Sequence, residues 1–171
     1  MLLWRSLFHK AAGGWLGLAA LTIAPFPAQK PRPPKPQPIP FSHKLHVALG
    51  RQCADCHEMP EPGDLATYPK EAKCMVCHAG VKTESPSIMA LAAYFKRQKP
   101  VPWVQVYKVP DFVWFSHKKH DKKDGITCDT CHGAVAEREV IYKEKLTTMA
   151  SCMECHDQMG ASVACNACHN P

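Results

Sequence analysis

Phe115-Ser116-His117-Lys118-Lys119-His120 is followed, eight residues on, by Cys128-Asp129-Thr130-Cys131-His132. The second of these stretches decides the fold. It is a Cys-x-x-Cys-His pentapeptide, the attachment pattern of a c-type haem. Two intervening residues let the two thiols span the two vinyl groups of one porphyrin. The adjacent imidazole then stands under the iron as its proximal ligand.

Working outward, the pentapeptide occurs four more times: Cys53 and Cys56 with His57, Cys74 and Cys77 with His78, Cys152 and Cys155 with His156, and Cys165 and Cys168 with His169. All ten cysteines fall in these copies. Histidine is 10 of 171 residues, so five such followers by chance would arise in roughly one chain in a million. Those ten cysteines are the candidate thioether residues for five haems, and His57, His78, His132, His156 and His169 the candidate proximal ligands. A zinc-ribbon array also uses Cys pairs, but it suits a cytosolic chain, and the N-terminus reads otherwise.

The hexapeptide repeats too. Phe41-Ser42-His43-Lys44-Leu45-His46 precedes Cys53, as residues 115–120 precede Cys128, and Gly50 and Gly125 each lie three residues before their cysteine. A second haem motif follows in each half, 21 residues after Cys53 and 24 after Cys128. The chain therefore reads as a module at 41–78, a second at 115–156, and an appended haem site at 165–169. Outside the motifs and His9, the only histidines are His43, His46, His117 and His120. At i and i+3 of a helical turn, each pair projects from one face and can meet two different haems. Four distal histidines leave the fifth iron a different ligand or none. Thioether sulfur is the usual alternative and raises the potential. Met149, three residues before Cys152, is preferred, then Met159, with Met59 a further candidate. Met89 reads as packing.

Residues 1–24 combine Arg5, His9 and Lys10 with an uncharged apolar run at 11–24. This is the pattern of a signal peptide or a retained N-terminal membrane anchor. Export agrees with haem attachment outside the bacterial inner membrane, so the expected location is the periplasm or the outer face of that membrane. Residues 25–40 contain eight prolines and read as a polyproline spacer. The charge of +6 does not signal a nucleic-acid partner. Arg5 and Lys10 fall in the leader, and two propionates per haem offset much of the rest. Lys118, Lys119, Lys122 and Lys123 form a local basic patch that could steer an acidic redox partner.

Between the modules, residues 85–98 read as the one substantial helix. Ser85 stands at the cap, Pro86 in the first turn, and Ile88, Leu91, Ala92 and Phe95 form an apolar stripe. Residues 101–110 alternate like a short strand or a strap across a haem edge. Trp103, Phe112, Trp114 and Phe115 are expected against porphyrin faces. The expected fold is a multihaem cytochrome c: short helices and irregular chain wrapped around five covalent haems, with little or no β-sheet and a core made largely of cofactor.

These motifs resemble the cytochrome c3 and cytochrome c7 superfamily. The resemblance implies that the first histidine of each pair ligates the haem attached just downstream. His43 would then face the haem of Cys53 and Cys56, and His117 that of Cys128 and Cys131. His46 and His120 would serve other haems, which the resemblance does not assign. Residues 102–120, with Gly125-Ile126-x-Cys128 and Met149-x-x-Cys152, are also similar to the pentahaem cytochrome subunit of alternative complex III and related quinol-oxidising membrane complexes. That likeness covers roughly residues 40–169 and implies electron transfer between quinol-linked membrane subunits and a soluble or terminal acceptor, with no catalysis by the cytochrome itself. The rival readings are a multihaem reductase with one open-coordinate haem, and a subunit of a haem filament or conduit.

Overall fold

The computed structural model describes residues 33–121 and 123–169. The leader at 1–24, the first part of the proline-rich stretch and Lys122 of the basic patch lie outside the described residues. Among the described residues eight helices follow in order: α1 (His43–Ala48), α2 (Cys53–Cys56), α3 (Glu71–His78), α4 (Pro86–Lys96), α5 (His117–His120), α6 (Cys128–His132), α7 (Met149–Gln158) and α8 (Cys165–Cys168). Two single 3-10 turns, Lys123–Gly125 and Val135–Glu137, complete the regular structure. No strand occurs among the described residues.

Each haem motif sits on a helix, for a local reason. One helical turn places the two cysteines at i and i+3 on the same face, with the following histidine beside the first. The duplication persists in three dimensions. The first motif of each module is a minimal helix, α2 or α6. The second occupies a longer one, α3 or α7. The minimal helices are started by side chains: the backbone N–H of Gln52 donates to Asp55 Oδ2 (2.8 Å), and Thr127 N–H to Thr130 Oγ1 (3.1 Å). At α7, Thr148 Oγ1 accepts from Ser151 N–H (3.2 Å) while Ser151 Oγ accepts from Thr148 N–H (2.9 Å).

The apolar core is small. Ile39, Leu91 and Val101 are the buried hydrophobic residues of the described chain, with Cys74, Met75, Ile88, Ala90, Tyr94 and Trp103 packed around them. It lies where α3 meets α4. As the pattern predicts, α4 is the longest helix and has Pro86 in its first turn. Three details differ from expectation. Ser85 occupies the cap position without a side-chain hydrogen bond. Phe95 and Met89 are exposed, because the buried face of α4 turns through Ile88, Leu91 and Tyr94.

Residues 101–110 form no strand, since no backbone among the described residues pairs with them. Side chains do that work instead. The Gln37 carboxamide both donates to Val104 O and accepts from Val104 N–H (2.9 Å each), and Glu71 Oε1 accepts from Val101 N–H (2.7 Å). With Ile39 buried, residues 37–39 are packed chain, so the spacer reading does not extend to them.

Candidate functional site

The two hexapeptides build the same small structure twice. Ser42 and Ser116 stand at the N-termini of α1 and α5. Phe41 meets His43 edge-on (4.8 Å between centroids, 83°) and stacks on His46 (4.3 Å, 20°). Phe115 does the same to His117 (4.8 Å, 85°) and His120 (4.7 Å, 28°). Phe115 thus buttresses its own histidine pair. Trp103 lies near Phe41 and the core, while Phe112 and Trp114 are exposed.

With the motifs numbered I to V in chain order, each hexapeptide histidine faces a motif histidine. His43 lies 6.4 Å from His57 of motif I, with ring planes at 8°. His46 lies 6.2 Å from His78 of motif II, at 59°. His117 lies 6.4 Å from His132 of motif III, at 10°. His120 lies 6.0 Å from His156 of motif IV, at 28°. This separation has a chemical meaning. A metal–imidazole bond of about 2.0–2.1 Å, plus roughly 1.1 Å from nitrogen to ring centre, puts two trans imidazoles about 6 Å apart. All four pairs meet that spacing, so these residues fit a metal held between two histidines. A structural zinc site instead needs four clustered ligands, and no group of three or more His, Cys, Asp or Glu of that geometry occurs among the described residues.

The other ring nitrogens fit as well. Nδ1–H donates to a backbone carbonyl in His46 (Ser42, 2.8 Å), His57 (Thr67, 2.8 Å), His78 (Val81, 3.1 Å), His117 (Asp64, 2.7 Å), His120 (Ser116, 2.8 Å) and His156 (Ser162, 2.7 Å). Such bonds fix the tautomer and leave Nε2 for a metal. Burial, then the neighbouring His57 and His46, lowers the pKa of His43 to about 4. Burial, then His117 and His57, lowers that of His132. Both rings are held neutral, the form that binds metal.

His169 of motif V has no such histidine partner among the described residues. Its Nδ1 faces Phe112 O (3.3 Å), and its ring lies 5.9 Å from that of Phe112. Met149 is exposed at the first position of α7. Met159 Sδ lies against Cys155 Sγ (3.7 Å). Met75 packs on the core.

The two modules interlock. Lys118 N–H donates to Gly63 O (2.9 Å) and Lys44 N–H to Arg138 O (3.1 Å). Lys118 of the basic patch is paired with Glu61. Thiols of different motifs adjoin. Burial, then the adjacent Cys53, raises the pKa of Cys128; burial, then Cys56, raises that of Cys74. Burial, then Cys155 and Cys152, does so for Cys131, and burial, then Cys168, for Cys152. Motif V is tied in by Trp114 N–H, which donates to Cys168 O (2.7 Å).

Three supporting residues stand outside the candidate ligand set. The Tyr107 hydroxyl donates to His132 O (2.9 Å) and accepts from Glu144 N–H (2.9 Å), while its ring meets the His132 ring at 4.5 Å. Glu144 holds Arg138 and accepts from Ala134 N–H (3.2 Å). Gly133 follows His132 at φ 76°, ψ −167°, a region essentially closed to other residues. A Cβ there would come within 2.6 Å of Glu144 Oε2 and 2.8 Å of its Cβ. Gly133→Ala should therefore destabilise the folded protein by about 3 kcal/mol, read as a lowered denaturation midpoint of the loaded protein.

A sequence profile of a known family matches residues 39–97 and 113–170, the two modules with their appended site. The chain belongs to the cytochrome c7 and related cytochrome c family. It is a multihaem cytochrome with covalent haem c, an electron-transfer class, as its motifs imply. This cytochrome is also 35% identical, over 159 residues, to a protein of Nitratidesulfovibrio vulgaris (strain Hildenborough) named menaquinone reductase, multiheme cytochrome c subunit. The alignment covers 78% of this cytochrome and 75% of that relative.

Proposed function

We propose that this cytochrome holds five covalent haems as an electron wire between a redox partner protein and a quinone-reactive membrane partner, on the periplasmic side of the inner membrane. The observation that carries the reading is the set of four imidazole pairs at the spacing of two ligands on one metal. When bound, haem supplies a one-electron Fe(III)/Fe(II) couple. The chain supplies the anchors, the axial ligands and the spacing.

In this reading each motif's cysteines form the thioethers. The pairs that would hold the iron are His57 with His43 at site I, His78 with His46 at site II, His132 with His117 at site III, and His156 with His120 at site IV. His169 is the proximal ligand of site V, and Met149 its thioether partner. Met149 is favoured for its place three residues before Cys152, while Met159 rests on Cys155 and Met75 on the core. Helix α1 joins sites I and II, α5 joins III and IV, the 61–64 loop with the Cys53 and Cys128 thiols joins I and III, and V rests on IV. The path therefore runs II–I–III–IV–V, which is not the chain order.

The relative's name, a menaquinone reductase subunit, supports a quinone-linked role. A wire conducts either way, and the potentials of the partners set the direction. The residues near 1–24 would provide the signal peptide or anchor; no described helix is long and apolar enough to cross a membrane. The test is isolation of the tagged cytochrome with its membrane partners, followed by addition of menaquinol or, after dithionite reduction, menaquinone. The expected result is redox exchange through the haem α-band in the isolated complex. A cytochrome that exchanges electrons with neither would contradict the quinone link.

A second reading, a reductase with one open-coordinate haem, draws on His169 lacking an imidazole partner. Carbon monoxide separates the two. A reduced protein with Met149 bound should take up none, and uptake at one iron would favour the reductase.

A further inference from the structure

The Nδ1 hydrogen bonds divide the four imidazole pairs into two kinds. At sites II and IV both rings are anchored: His46 and His78 to Ser42 and Val81, His120 and His156 to Ser116 and Ser162. At sites I and III only one ring is, His57 to Thr67 and His117 to Asp64. The two unanchored rings differ from each other. His43 Nδ1 alone, among the described side-chain nitrogens and oxygens, is buried with no hydrogen-bond partner. His132 Nδ1 is not among the enclosed, partnerless atoms.

Two physical effects act at His43, and both have the same sign. An imidazole that donates Nδ1–H to an acceptor becomes a stronger electron donor through Nε2, which stabilises the more positive Fe(III) state. A ring denied an acceptor gives less of that stabilisation. Burial adds to this, because a water-poor site disfavours the extra positive charge of the oxidised iron.

We propose that the haem at site I is the most readily reduced of the four bis-histidine haems, because its His43 ligand has no acceptor for Nδ1. The inference rests on the ligand reading above and deepens it. Reduction takes one electron per iron, Fe(III) to Fe(II), and needs no proton. Site I lies between II and III on the proposed path. An electron entering among the four bis-histidine haems would therefore settle inside the wire and leave from there when a partner docks.

The experiment is a stepwise reduction of the holoprotein by dithionite with redox mediators, followed by proton NMR. Haem methyl signals are assigned to sites through contacts with their own axial histidines. Site I should reach half-reduction before II, III and IV, and the 15N shift of His43 Nδ1 should stand apart from those of the six anchored rings. Site II, III or IV reaching half-reduction before site I, or together with it, would overturn the proposal. Fewer than four bis-histidine haems in the assigned spectra would overturn the ligand reading itself, and this inference with it.

Discussion

Produced without haem attachment, the chain is expected to show no cooperative unfolding transition and the far-ultraviolet circular dichroism of a largely unstructured polypeptide. The physical reason is the near-absence of a polypeptide core. Ile39, Leu91 and Val101 are the buried hydrophobic residues of the described chain. Each contributes about 1.5–3 kcal/mol, far short of the conformational entropy lost when a chain of this length is ordered. Local helix stability cannot make up the difference. The eight helices run from four to eleven residues, and isolated helices shorter than about 12–15 residues are marginal in water. Meanwhile Phe112, Trp114, Leu49 and Val76 are exposed, an apolar surface on the scale that porphyrin faces would cover. In an export-deficient host, or with the motif cysteines replaced by alanine, the expected product is protease-sensitive. A haem-free chain with native-like helix content and a sharp thermal transition would contradict this.

His46→Ala should convert one iron, and only one, from low-spin to high-spin. The imidazole of His46 is the ring that faces His78 at 6.2 Å, and every other described histidine is assigned to a site of its own. The substitution also removes the stack on Phe41, so some local loosening of α1 accompanies the spin change. The vacated position should bind carbon monoxide in the reduced state, and the potential of that haem should rise with loss of a donor ligand. His43→Ala should do the same at a different haem, since its partner is His57. The double variant should therefore show two high-spin irons. Electron paramagnetic resonance of the oxidised proteins reads the count directly. Unchanged spin state in His46→Ala, or loss of the same haem signal in both single variants, would contradict the pairing.

The attachment motifs were legible because their chemistry is contiguous. Five residues in a row specify two thioethers and a ligand, and one helical turn satisfies them without help from the rest of the fold. The histidine pairs were legible for a similar reason: a spacing of three in a repeated hexapeptide predicts the short helices α1 and α5. Helix α4 could be read from Pro86 and its apolar spacing, although the stripe rotated away from Phe95 toward Tyr94. The supporting layer could not be read. Seven of the histidines are oriented by backbone carbonyls, and a carbonyl leaves no mark in a sequence. Gln37 pairing with Val104 is a side chain standing in for a strand, so alternation in residues 101–110 suggested a strand that lacks a partner. Tyr107 and Glu144 support His132 from segments 25 and 12 residues away in the chain, and only the close approach at Gly133 explains why a glycine follows that histidine.

Near-infrared magnetic circular dichroism of the oxidised holoprotein, with low-temperature electron paramagnetic resonance on the same sample, counts axial-ligand types most directly. The account predicts four low-spin bis-histidine irons, matching the four imidazole pairs, and one low-spin iron with histidine and methionine ligands. Fewer than four bis-histidine irons would contradict the claim that each of these pairs holds a haem.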